Sequence, residues 1–449
     1  MMAIVRRREA SRDTSIDTRR AIYWVERTPW PYSDTVQRTT RISDREFIAA
    51  IIAVMASTAV AIDVMLPAFP EMRAEYGMAP GSADVAWIIT AFFLGMATGP
   101  WLYGPASDKF GRLTPLRLGL SLYVIAALLA TVAPSWEWVI VSRFVWGLGS
   151  AGPRSISMAM IRDRYSGDAM ARLMSLIMAV FLLVPILAPS IGAGLIHVFP
   201  WRSVFVAPAL FGLFLIVWSF RLPETLASEN SRPFTLRDTG RGIREVLRHR
   251  RTIGFTLATG FLFGIVTSYL SASEIVLEDV YGYGDWFPLY FGAIAILFAL
   301  NSLGNSRIVE RVGTDTLLKR LGSYCAAMAI VLLVVSVMND GVPNFWLFTI
   351  AVALLVPVAQ GMGPLCNTAA LTPVPHVAGT ASALNATFTT SIGALLGNLG
   401  AGHIDGSVIP FSLAVAVYVA AALGLIHWST KEAGAVHPEF SSTPLSAGE

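Results

Sequence analysis

Runs of about 20 residues with almost no charge recur along the whole chain, and no other feature limits its folding as severely. A helix of that length crosses the hydrocarbon of a bilayer. In lipid, every backbone N–H and C=O must find its partner within the protein, which leaves only helices or closed barrels. Barrel strands alternate apolar and polar residues over about 10 positions. "LYVIAALLATVA" (122–133) does not alternate. Charged residues make up 14% of the chain, against about 25% in an average soluble domain. The chain reads as an all-α membrane protein.

Apolar windows mark twelve spans, near 46–67, 84–104, 114–133, 136–160, 169–196, 201–221, 252–272, 286–306, 317–338, 344–368, 377–401 and 408–429. The longest polar link, 221–251, divides them six and six and carries a surface-helix pattern at "LRDTGRGIREVLRHR". Basic residues orient the whole. With the N-terminus in the cytoplasm, all 33 Lys and Arg fall on the inner side except Arg73 and Arg202 outside and Arg143 within a span. Both termini are expected in the cytoplasm. The organisation is a basic tail (1–42) expected to be disordered, a first six-helix bundle (43–221), a cytoplasmic linker (222–251), a second bundle (252–430) and a C-terminal tail (431–449). The tail has no apolar core of signal-peptide type.

The two halves look like a duplication. "SIGA" occurs at 190–193 in the fifth span and again at 391–394 in the eleventh. "SDKFG" (107–111) after the second span has a counterpart, "VERVG" (309–313), after the eighth. Both pairs share nearly the same offset, which corresponds to six spans. Cys325 and Cys366 lie inside apolar segments and read as packing residues. The histidines lack metal-ligand spacing.

The stretch "YGPASDKFGR" (103–112) sets a charged hinge between two apolar runs. Gly104 and Gly111 permit tight turning and close approach. Asp108 is placed to accept from the positive end of a neighbouring helix, while Lys109 and Arg112 meet headgroups or carboxylates. Such a cluster acts as a latch between bundles. It resembles the loop signature G-x-x-x-D-[RK]-x-G-[RK] of the major facilitator superfamily, with Gly104, Asp108, Lys109, Gly111 and Arg112 matching. The resemblance implies two pseudo-symmetric six-helix bundles related by an axis along the membrane normal. "AIDVMLPAFPEM" (61–72) and "PHVAGTASALNATF" (375–388) are similar to the drug–proton antiporter branch of the bicyclomycin and chloramphenicol resistance type.

The chain has no G-x-x-x-x-G-K-[ST] phosphate loop, so uphill transport requires an ion gradient and a titratable group inside the membrane. Asp63 sits about 6 Å inside the outer end of the first span, and Arg143 about 10 Å inside the fourth. An ionisable residue at such depth points to function. Burial disfavours the ionised carboxyl and a neighbouring arginine favours it, so joining and parting the pair would load and unload a proton. The resemblance agrees: Arg143 and Gly147 match the R-x-x-x-G motif of the fourth span.

In the fifth span, "VPILAPSIGAG" (184–194) partly resembles the antiporter motif G-x-x-x-G-P-x-x-G-G. Pro185 and Pro189 are expected to bend the helix, and Gly192 and Gly194 to admit a close neighbour. Tyr269, Gln360 and Asn385 are candidate substrate contacts in spans that border the cavity of this family. Arg154 is unexplained, and the acidic segment Glu274, Glu278, Asp279 and Asp285 reads as a solvated outer link. The expectation is a monomeric, proton-coupled exporter of small amphipathic compounds in the cytoplasmic membrane of a bacterium. It would need no cofactor beyond the proton gradient, no metal and no nucleic acid. The alternatives are a transporter for one metabolite, such as an amino acid or sugar derivative, and a sensor built on a transporter scaffold.

Overall fold

The computed structural model describes residues 42–226 and 236–430. All regular structure among them is helical. In chain order the helices are α1 (Asp44–Asp63), α2 (Phe69–Glu75), α3 (Trp87–Phe110), α4 (Leu113–Thr131), α5 (Trp136–Arg164), α6 (Gly167–Val198) and α7 (Ser203–Ser219). After the linker come α8 (Leu236–Arg248), α9 (Arg250–Ile275), α10 (Phe287–Val312), α11 (Thr314–Met338), α12 (Phe345–Leu371), α13 (Ala378–Ala401) and α14 (Ile409–Thr430). Leaving out the short α2 and the linker helix α8, each helix corresponds to one of the sequence-derived spans.

Eight helical segments among the described residues are long and apolar enough to cross a membrane. The second half of α6 and α7 together add a ninth, as two pieces meeting at 118°. The others fall short on composition for a reason visible in their sequences. α5 carries Arg143 and Arg154, and α13 is rich in Gly, Ser, Thr and Asn. Such residues suit a helix packed among helices better than one facing lipid. Large apolar side chains stand exposed elsewhere, among them Met338, Val132, Trp346 and Leu289. A belt of that kind is stable against hydrocarbon and a liability in water.

Within the first half, α3 packs on α5, α5 on α4, α4 on α7 and α1 on α6. Within the second half, α9 contacts α12, α13 and α14, and α11 contacts α12 and α14. The halves meet along two seams, α3 against α13 and α6 against α10. Since lipid is as apolar as leucine, close backbone approach holds such helices together. A Cβ at Gly147 would lie 1.8 Å from the Phe92 carbonyl oxygen on α3. The duplication reappears as structure: Gly111 ends α3 at φ +82° and Gly313 ends α10 at φ +77°, both in the left-handed region that favours glycine.

Arg112, Arg164, Arg221 and Arg248 gather at one end of the bundle, termed the basic end below. Asp63 and the α9–α10 connection lie toward the other. The linker helix expected near 236–250 is present as α8, against α9 and α13. Glu245 of α8 pairs with His376. The tails 1–41 and 431–449, and the disorder expected of the first, lie outside the described residues.

Candidate functional site

α1 ends at Asp63, and the chain then turns through a 3-10 segment, Leu66–Ala68, that includes Pro67. The last carbonyls of a helix lack helical partners, and Arg143 supplies one. Its Nη1 donates to the Ala61 carbonyl at 2.9 Å and its Nε to the Ile88 carbonyl at 3.3 Å. The guanidinium also lies over the Phe92 and Trp146 rings, 4.6 and 4.8 Å from their centroids. Arg143 is wholly buried, and its Nη2 has no hydrogen-bond partner among the described residues.

The expected Asp63–Arg143 ion pair is not formed. The guanidinium is committed to carbonyls of α1 and α3, and the Asp63 carboxyl, 4% exposed, makes no hydrogen bond or ion pair among the described residues. What lies within electrostatic range of Asp63 is Tyr269, from the other half of the chain. Tyr269 is buried and stacks on Phe291 at 5.6 Å, and its hydroxyl has no hydrogen-bond partner among the described residues. The sequence offers these two residues for separate roles; the fold brings them within electrostatic range of each other across the two halves.

A second feature has no signal in the sequence of either partner. Arg73 on α2 grips Glu274 on α9 with two parallel hydrogen bonds, 3.0 and 2.9 Å, and reaches Asp279 at 3.5 Å. Both side chains of the main pair are 4% exposed. The solvated acidic link is thereby corrected: α9 continues to Ile275, so Glu274 belongs to a buried helix end. The partners stand 201 residues apart, close to the offset of the internal repeat, so related positions of the two halves meet each other near the pseudo-two-fold axis. Beside this clamp, a cavity of about 430 Å³ is lined by Ser82, Asp84 and Trp87 from the first half and Asn398, His403 and Asp405 from the second.

The hinge at 103–112 differs from expectation. α3 runs unbroken to Phe110, with Pro100 and Pro105 inside it, so Gly104 is helical and nothing lies near its Cβ position. Only Gly111 turns the chain. Asp108 accepts from Arg112 at 2.6 Å, not from a neighbouring helix end, and Arg112 donates to Asp163 at 2.8 Å. Partial burial works against the charge on Arg112, but the hydrogen bonds to Asp163 and Asp108 outweigh it and raise its pKa. Glu224 accepts from the Arg112 and Leu113 amides, capping α4. Lys109 extends over the Phe110 ring. These contacts stay within the first half and the start of the linker, and none reaches the second half, so the cluster does not bridge the bundles in this conformation.

In the fifth span, α6 contains Pro185 and Pro189 within one continuous helix. Gly192 sits against the end of α1, where a Cβ would lie 2.0 Å from the Val64 carbonyl oxygen. Gly194 faces open space among the described residues, so none of them explains it as a close neighbour. Asn385 is buried and donates to Asn367 at 2.5 Å, tying α13 to α12. Gln360 is exposed. Among the described residues no cluster of His, Cys, Asp or Glu could hold a metal ion.

Comparison with known proteins agrees with this architecture. The sequence pattern of the Major Facilitator Superfamily matches residues 47–398. The bicyclomycin resistance protein homolog of Haemophilus influenzae is 31% identical over 340 residues, 75% of this chain and 84% of that protein. The multidrug transporter MdfA of Yersinia pestis is 29% identical over 268 residues, 57% of this chain and 64% of that one. Among solved structures, a D-xylose-proton symporter superposes with a TM-score of 0.67 at 14% identity, covering 86% of this chain and 97% of its own. The halved helical bundle, the loop at Asp108–Arg112 and the match over most of its length make this chain a member of the Major Facilitator Superfamily.

Proposed function

We propose that the chain is a proton-coupled exporter of small amphipathic compounds, drugs among them, working by alternating access in the cytoplasmic membrane of a bacterium. The names of its relatives, a bicyclomycin resistance protein homolog and multidrug transporters, support the substrate class. Twelve spans and cytoplasmic termini complete the reading. The concentration of arginine at the basic end supports that end as the inner one.

The observation that carries the proposal is the unpartnered carboxyl of Asp63, buried at the junction of the halves beside Tyr269. A charge buried without a partner is costly, so a carboxyl there trades its charge for a proton as its surroundings alternate. The Arg73–Glu274 clamp closes the outer side in this conformation. Opening that side requires the pair to part, which exposes Asp63 to external protons and lets the compound leave outward; closing it again carries the proton inward, and its release readies the site for the next compound. The membrane gradient supplies the energy, and one chain contains every group the cycle uses.

Inside-out membrane vesicles holding an acidic interior test the reading. Adding chloramphenicol or bicyclomycin is expected to dissipate the pH difference in vesicles containing the protein and not in vesicles without it. An undisturbed gradient across a panel of such compounds would refute it.

A further inference from the structure

We propose that the cavity beside the Arg73–Glu274 clamp binds an aromatic organic cation bearing N–H donors, and that such a ligand holds the two halves closed at that end. The effect on transport rests on the alternating-access function proposed above; the binding does not. The cavity lies opposite the basic end, because α3 begins there at Trp87 and runs to Phe110 beside Arg112. Its volume of about 430 Å³ falls within the range of small-molecule sites, roughly 300–1,000 Å³.

The chemistry of the wall decides the ligand. Asp84 from the first half and Asp405 from the second are exposed and line the cavity, and no lysine or arginine does. His403 is the one lining side chain able to carry a positive charge. Asp84 accepts from Ser82 at 3.0 Å, whereas the Asp405 side chain makes no hydrogen bond or ion pair among the described residues. Asn398 adds an independent sign: its Oδ1, also in the wall, is buried without a hydrogen-bond partner among the described residues. An acceptor left so is costly until a donor reaches it, and a ligand N–H is such a donor. Trp87 and Leu399, 40% and 56% exposed, add aromatic and apolar surface for the body of the ligand. Among the described residues no group of His, Cys, Asp or Glu could hold a metal ion, which leaves an organic cation such as an amidinium or a protonated amine.

The same wall accounts for the hold on the halves. It is built from the segment before α3 and the end of α13, the two sides of a seam between the halves. Gly81, in the wall, packs against Asp279: a Cβ there would lie 3.3 Å from the Asp279 Cγ. Asp279 in turn stands 3.5 Å from Arg73. Cavity and clamp are therefore continuous, and parting the clamp draws the walls apart. A ligand that touches both walls favours the closed state and shifts the population toward it. Asp63 is absent from the wall, so a bound cation arrests exchange without occupying the proton site.

The test measures affinity by calorimetry on the full chain in nanodiscs, with 2-naphthamidine as the cation and 2-naphthamide as its neutral counterpart. Wild type is expected to bind the amidine at least about 10-fold more tightly than the amide, and Asp405→Asn to remove most of that preference. Asp405 is exposed, so this variant is expected to fold. Replacing Arg73→Gln and Glu274→Gln together removes the clamp without changing the net charge beside the cavity. That double variant is expected to bind the amidine at least about 5-fold more weakly. Equal affinities for amidine and amide in wild type overturn the site, and so does a preference that survives Asp405→Asn, which places the cation elsewhere. Unchanged affinity in the double variant overturns the hold on the halves. In proteoliposomes, saturating amidine is expected to stop chloramphenicol-driven proton movement, and continued movement also overturns the hold. Protein that binds as expected but moves no protons with chloramphenicol alone loses the exchange function and keeps the site.

Discussion

At the scale of residues, the fold separates positions that look alike in sequence. Gly147 and Gly194 both belong to motifs of small residues, yet Gly147 lies against the α3 backbone and Gly194 faces open space. Gly147→Ala is expected to force α3 and α5 apart at a cost of about 1–3 kcal/mol. Gly194→Ala is expected to be neutral or slightly stabilising, since alanine is the better helix former. Thermal unfolding of the detergent-solubilised variants measures both. The sequence identified Asp63 and Arg143 because so few ionisable residues interrupt the apolar runs. It did not reveal that Arg143 is held by the Ala61 and Ile88 carbonyls. An unsatisfied carbonyl at a helix end has no signature in the sequence, because the site of the break in α1 depends on packing.

At the scale of elements, span positions were legible from hydropathy, and α8 from its pattern of apolar and basic residues. The ends of helices were less so. α3 outlasts its apolar run by a full turn and more, because Ser107, Asp108 and Arg112 satisfy one another at the exposed end. α9 likewise carries Glu274 inward because Arg73 waits there from α2. Partners so distant along the chain cannot be paired by reading either segment. The clamp predicts a conformational bias. Glu274→Gln removes the charge that Arg73 answers and is expected to shift the protein toward the state open at that end. Spin labels on cysteines at Ser82 and Asp405, on opposite halves, should report a longer mean distance than in the parent protein. An identical distance distribution would assign the pair a purely static role. Removing one partner of a buried pair also destabilises by about 3–5 kcal/mol, so the distances belong with a thermal unfolding measurement on the same samples.

At the scale of the whole molecule, two halves touch along α3–α13 and α6–α10, with Arg73–Glu274 closing one end. The loop at Asp108–Arg112, by contrast, is occupied within its own half. Motion between the halves predicts that tying a seam stops the cycle. Thr387 donates to the Ala97 carbonyl across α3–α13 at 2.8 Å. Cysteines placed at both positions and oxidised should abolish exchange, and reduction should restore it. The native Cys325 and Cys366 are buried and leave the background low. The duplication visible at 190–193 and 391–394 anticipated this two-part body, since Gly192 and Gly393 each pack against the first long helix of their own half, or its end. The account as a whole turns on protons being exchanged for cargo through Asp63, and indicator-loaded proteoliposomes measure that step directly. Chloramphenicol should drive proton movement through the wild-type protein and none through Asp63→Asn protein that remains folded. Equal proton movement through both would contradict the account.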